Sequence, residues 1–193
     1  MHNVKKHPDD ARQFWKSYWN AIYETPRAWA HKGENLVHAF EAVASASENH
    51  SMHLNMHDQA FMLAGMSIEV MLKAILVNVP EARIVVTAPK QPSDATGKSL
   101  WFAFYSHRLE DLAREAKVAL TSERLNTAAI LSQYIYWRGR YVIPTERGID
   151  DLIPVVRDNG LIGQPHNDLT IEAVRDLIDY VIGEVKTRLY GQV

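Results

Sequence analysis

The sequence predicts an all-α fold, a bundle of five to six helices with a long loop between the central ones. Apolar residues recur at helical spacing in successive windows, capping residues and prolines punctuate those windows, and the alternation of a half-buried strand is almost missing. The 193 residues, 47% hydrophobic and 23% charged, are enough for one core, so residues 1–193 are read as a single domain.

Residues 1–50 form an N-terminal, aromatic-rich helical part. Phe14, Trp15, Tyr18, Trp19, Ile22 and Tyr23 share one helical face, and Thr25-Pro26 supplies an N-cap and a first-turn proline for a second helix through Trp29, Leu36, Val37, Phe40 and Val43. The aromatic face either packs over the bundle or meets a partner. Residues 56–145 hold the core helices. Phe61, Ala64, Ile68, Met71, Leu72, Ile75 and Leu76 mark the central one, which ends at Pro80. The stretch 80–98, with three prolines, reads as a long loop containing a short extended piece at Ile84-Val85-Val86.

Leu109, Leu112, Ala113, Ala116 and Leu120 mark the next helix, with His107 in its first turn. Thr121-Ser122 caps another, carrying Leu125, Ala128, Leu131, Tyr134 and Ile135 and ending near Gly139. Residues 146–168 are glycine- and proline-rich and read as irregular chain. A closing helix at 169–190 carries Ile171, Val174, Ile178, Val181, Val185 and Leu189, with Asp168 or Thr170 as cap and Gly191 beyond its end.

Composition excludes several functions. Without cysteine there is no disulfide, thiolate metal site or cysteine nucleophile. A formal charge of −2 gives no global attraction to nucleic acid or anionic membrane, so RNA contact needs a local patch. The N-terminus has no apolar stretch behind its charges, and no segment approaches the roughly 18 apolar residues of a membrane helix. The expectation is a cytoplasmic protein with no membrane partner and no cofactor.

Three segments place ionisable residues among apolar ones. In Gly65–Lys73, Glu69 and Lys73 stand four apart at the border of the buried stripe, forming either a surface pair or a carboxylate that reaches a neighbouring helix. His107 opens the second segment, as a structural hydrogen-bonding group or a titrating base. In the third, Arg138 and Arg140 flank Gly139 ahead of Tyr141, which suits a helix C-terminus or a phosphate with a stacking ring nearby.

Two other patterns are weaker. His50, His53 and His57 stand at spacings of three and four, which suits a metal, but no Glu follows where a metalloprotease helix needs one. Pro92–Ser99 echoes a phosphate-binding loop, yet Pro92 replaces the glycine and lacks the amide hydrogen such a loop uses, so the stretch is read as solvated loop.

The run Ala64-Gly65-Met66-Ser67-Ile68-Glu69-Val70-Met71-Leu72-Lys73-Ala74, the segment His107-x-Leu109-x-x-Leu112 and the ending Arg140-Tyr141-x-x-Pro144 resemble the second, third and fourth helices of HEPN domains. The resemblance covers about residues 57 to 145 and follows the family's order. It implies a compact helical bundle, frequent dimerisation and a setting of RNA metabolism, toxin–antitoxin pairs or phage defence. Catalytic members are metal-independent ribonucleases using an Arg followed about four to six residues later by a His. No histidine follows Arg138 or Arg140 at that distance; the next is His166. Arginine cannot move the 2′-hydroxyl proton near neutral pH.

The expected function is therefore a dimeric HEPN-like binding or assembly module, with RNA and a cognate antitoxin-like protein as candidate partners. An RNA-cleaving toxin, an endoribonuclease with a non-standard site at His107 and Arg140, is the enzyme alternative. A helical scaffold in a larger complex is the third reading. The polar constellation carried forward is Glu69, Lys73, His107, Arg140 and Tyr141, with Arg138 beside it.

Overall fold

The computed structural model describes residues 8–49, 56–86, 88, 90–138, 155–156, 162–163 and 169–191. Apart from the short pair 155–156 and 162–163, those residues form a helical bundle: α1 (Pro8–Tyr23), α2 (Pro26–Asn49), α3 (His57–Asn78), α4 (Pro80–Val86), α5 (Ala95–Tyr105), α6 (Leu109–Glu115), α7 (Ser122–Gln133), a π-helical turn (Tyr134–Arg138) and α8 (Ile171–Tyr190). Eight α-helices among the described residues exceed the five to six expected from sequence.

α3 is the hub, packed against α2, α6, α7, the π turn and α8. Its stripe Ala64, Ile68, Met71, Leu72, Ile75 and Leu76 is buried, and the opposite side is apolar too, as befits a helix wrapped on most sides. By length and composition α3 could cross a membrane, contrary to the expectation that no segment comes near this; most of it is buried by the other helices. Two glycines permit the closest approaches. A Cβ on Gly33 would collide with the Met71 side chain, and one on Gly65 would stand 2.7 Å from Ile135 Cγ1 and 3.2 Å from the Leu131 carbonyl.

Local chemistry sets the boundaries. The break between α1 and α2 falls at Thr25, but its hydroxyl donates back to the Ala21 carbonyl at 2.6 Å, closing α1 where an N-cap for α2 was expected. Pro80 stops α3 and opens α4, so Ile84-Val85-Val86 is helical and not extended. The Arg83 guanidinium donates to the Val77 carbonyl at 2.8 Å across that junction. The expected loop 80–98 thus shortens to the link 87–94. It ends at Asp94, whose carboxylate accepts the Gly97 N–H at 2.6 Å and caps α5. α5 itself lies where the sequence showed no periodicity.

α6 also stops early, at Glu115 and not near Leu120, because Lys117 turns to φ 54°. Arg188 of α8 donates to the Ala116 carbonyl at 2.6 Å and the Lys117 carbonyl at 2.8 Å, covering that exposed end. Thr121 and Thr170 cap α7 and α8, and Gly191, at φ 63°, closes α8, as the sequence predicts. Within 146–168, expected to be irregular, Val155–Val156 pairs antiparallel with Ile162–Gly163.

Phe14, Trp15 and Tyr18 are exposed and lie against one another, whereas Trp29 of α2 packs edge-on to Phe104 at 5.8 Å. α8 straps the bundle: Arg175 grips Glu41 of α2 through Nε and Nη2, Arg124 of α7 grips Asp176, and the Tyr180 hydroxyl donates to the Ala119 carbonyl at 2.7 Å.

Candidate functional site

Glu69 and Lys73 are one turn apart on α3, facing the link between α5 and α6. Each side chain is about a tenth exposed (9% and 11%), so the pair lies inside the bundle. Lys73 Nζ donates to Glu69 Oε1 at 2.5 Å and stands 5.1 Å from the centre of the Phe104 ring. Glu69 Oε2 meets His107 Nδ1 at 3.1 Å, a contact across 38 positions of sequence. The carboxylate thus makes both of the contacts that its spacing left open, an i,i+4 pair and an inter-helix bond.

Burial alone would raise the Glu69 pKa. The hydrogen bond from His107, the charge and hydrogen bond of Lys73, and the His107 charge together outweigh it and hold the carboxyl below its ordinary range. An ionised carboxylate only accepts, so His107 presents its Nδ1 hydrogen to Glu69, and a neutral ring keeps the Nε2 lone pair. Its side chain is 39% exposed.

His107 does not open α6, as the sequence predicted. It lies in the extended link before the N-cap residue, Arg108. Arg108 supplies no side-chain cap. Instead Ser132 Oγ, from α7, accepts the Leu109 N–H at 2.9 Å and lies 3.0 Å from Glu110 Oε2 and 2.9 Å from the Ala128 carbonyl, which share its single proton. Ser132 therefore fixes the α6 start against α7 and holds the link on which His107 sits.

Sequence reasoning missed Tyr136. It lies in the π turn, 43% exposed, with its ring 6.4 Å from that of His107. A π turn changes the rotational phase of the helix after Gln133, a departure no 3.6-residue pattern announces. Just before it, the Gln133 amide is buried with no hydrogen-bond partner for its nitrogen or oxygen among the described residues.

Of the remaining expected residues, few fall among those the structure describes. Arg138 ends the π turn; Arg140 and Tyr141 lie outside the described residues, as do His50 and His53. His57 opens α3, with its ring 5.9 Å from that of Phe61. Among the described residues no group of three or more His, Asp or Glu side chains is placed to hold a metal ion. The Pro92–Ser99 stretch is a capped helix start, where the Asp94 carboxylate occupies the amide a phosphate would use.

What the site offers chemically is one oriented imidazole, backed by a buried carboxylate and flanked by an exposed phenol ring. Comparison with protein families, with curated proteins and with solved structures yields no match to this chain.

Proposed function

We propose that this chain is a HEPN-like binding and assembly module in an RNA-related setting. The observation that carries the reading is the pinning of His107 by Glu69 beside Tyr136, where α3, the link before α6 and the π turn meet. A partly exposed imidazole oriented by Glu69, next to an exposed ring, suits an unstacked base: the phenol ring supplies stacking and Nε2 hydrogen-bonds the base, as donor when the imidazole is charged and as acceptor when it is neutral. Support for the family comes from the same elements, since Gly65–Lys73 and His107–Leu112 are the segments that carry the resemblance, and α3 and α6 pack together.

Binding is favoured over cleavage because Glu69 already serves Lys73 and His107. The ribonuclease reading keeps one observation in its favour: a carboxylate behind Nδ1 leaves Nε2 as a proton acceptor. One experiment addresses both. A labelled single-stranded RNA is titrated with the protein at low and at moderate salt, and the RNA is then run on a denaturing gel. Weaker binding by about tenfold in His107→Ala and Tyr136→Ala, with intact RNA, is the expected result. Cleavage lost in His107→Ala would move the assignment to an endoribonuclease; no retention at low salt would leave a scaffold without RNA.

A further inference from the structure

We infer that α1 is an exchange arm that seats its aromatic face in the α5–α6 cavity of a second copy of this chain. This rests on the assembly part of the reading above and names its surface. α1 meets the bundle chiefly through α2, yet it presents Phe14 at 63% and Trp15 at 53% exposure. On the body, α5, α6 and the link before α5 line a shallow, open cavity of about 470 Å³. Phe102, 56% exposed, lies on its wall, with Lys98 and Arg114 among its lining. A cavity of that volume has room for one or two rings laid against its wall.

Charge and spacing match the two surfaces. Asp111, the cavity's carboxylate, is already held by Arg114 at 2.7 Å and Arg108 at 3.2 Å, while the Lys98 ammonium has no ion pair among the described residues. The start of α1 is acidic, Pro8-Asp9-Asp10. Asp10 precedes Phe14 by four residues, and Lys98 precedes Phe102 by four. Laid along α5 in the same direction, α1 brings acid to ammonium and ring to ring one turn later. α1 as a whole balances Asp9 and Asp10 against Arg12 and Lys16, so its net charge gives no attraction to an anionic membrane or RNA.

Position and area agree. α2 begins beside α5 through Trp29 and Phe104, so the arm leaves the body next to the helix that lines the cavity. Phe14, Trp15 and Phe102 together remove about 350 Å² from water in one contact, and twice that in a two-fold pair. That is over half of the roughly 1,000 Å² a specific interface needs; the stems of Lys98 and Arg114 and the flank of α1 add to it.

Sedimentation of the full chain at about 100 µM, alone and with RNA, tests the exchange. The intact protein should be a dimer. Phe14→Ala and Phe102→Ala should each weaken association by tenfold or more with unchanged circular dichroism, since both rings are exposed. Mixed in equal amounts, the two variants should recover a heterodimer, because one retains an intact cavity and the other an intact arm. A monomeric parent, a dimer indifferent to both substitutions, or a mixture without recovery would each overturn the proposal, the last pointing to arms that pair with one another. A monomer that still retains RNA would sink the exchange and leave the RNA reading standing.

Discussion

Glu69 holds two cationic or proton-donating neighbours on one buried carboxylate, so its removal exposes more than a lost contact. In Glu69→Gln the Lys73 ammonium stays inside the bundle with its charge unanswered, and such a loss is expected to cost about 3 kcal/mol or more in urea unfolding at pH 7. The pH dependence follows from the lowered pKa. The unfolded chain releases the proton near about pH 4.3, the folded protein at a lower pH, so the contribution is complete above the first value. It disappears as pH falls through the second. The stability difference between the parent and Glu69→Gln should accordingly shrink as pH falls below about 5. A difference that stayed unchanged down to pH 3 would show that the carboxylate is not held ionised.

At the scale of elements, the contact between α3 and the end of α7 depends on a missing side chain. Gly65→Ala would press a methyl onto Ile135 and the Leu131 carbonyl, and is expected to lower stability by about 1–3 kcal/mol in chemical denaturation, although alanine is the better helix former. The sequence shows why such features are unevenly legible. Thr121, Thr170 and Gly191 mark helix ends by chemistry that acts within a few residues, and Glu69–Lys73 is visible for the same reason. α5 is different: Leu100-Trp101-Phe102-Ala103-Phe104-Tyr105 is apolar throughout, and only packing buries Ala103 and Phe104 while leaving Phe102 outside. The sequence singles out Glu69, Lys73 and His107 by residue type and local spacing, but the bond from Glu69 to His107 spans 38 positions and the approach of Tyr136 needs the π turn, so neither that meeting nor Tyr136 is legible in it.

For the molecule as a whole, α8 joins parts distant in sequence. Arg175 reaches Glu41, Asn78 donates to the Arg188 carbonyl, and the Arg188 guanidinium closes the end of α6. Arg188→Ala leaves the Ala116 and Lys117 carbonyls without that donor and should cost about 1–2 kcal/mol. Hydrogen exchange should quicken first at the turn after α6, where the Val118 amide bonds to the Ala113 carbonyl. Uniform loosening across the bundle would instead assign Arg188 to general packing.

That closing strap has a consequence for how the protein is made. Synthesis delivers the hub α3 long before α8, whose Val174, Leu177, Ile178 and Val181 cover part of it. Until α8 emerges, a nascent chain carries that side of its most apolar segment uncovered, a state that invites chaperones and self-association. The order of emergence from the ribosome therefore makes the twenty-residue α8 the step that completes the cover of α3.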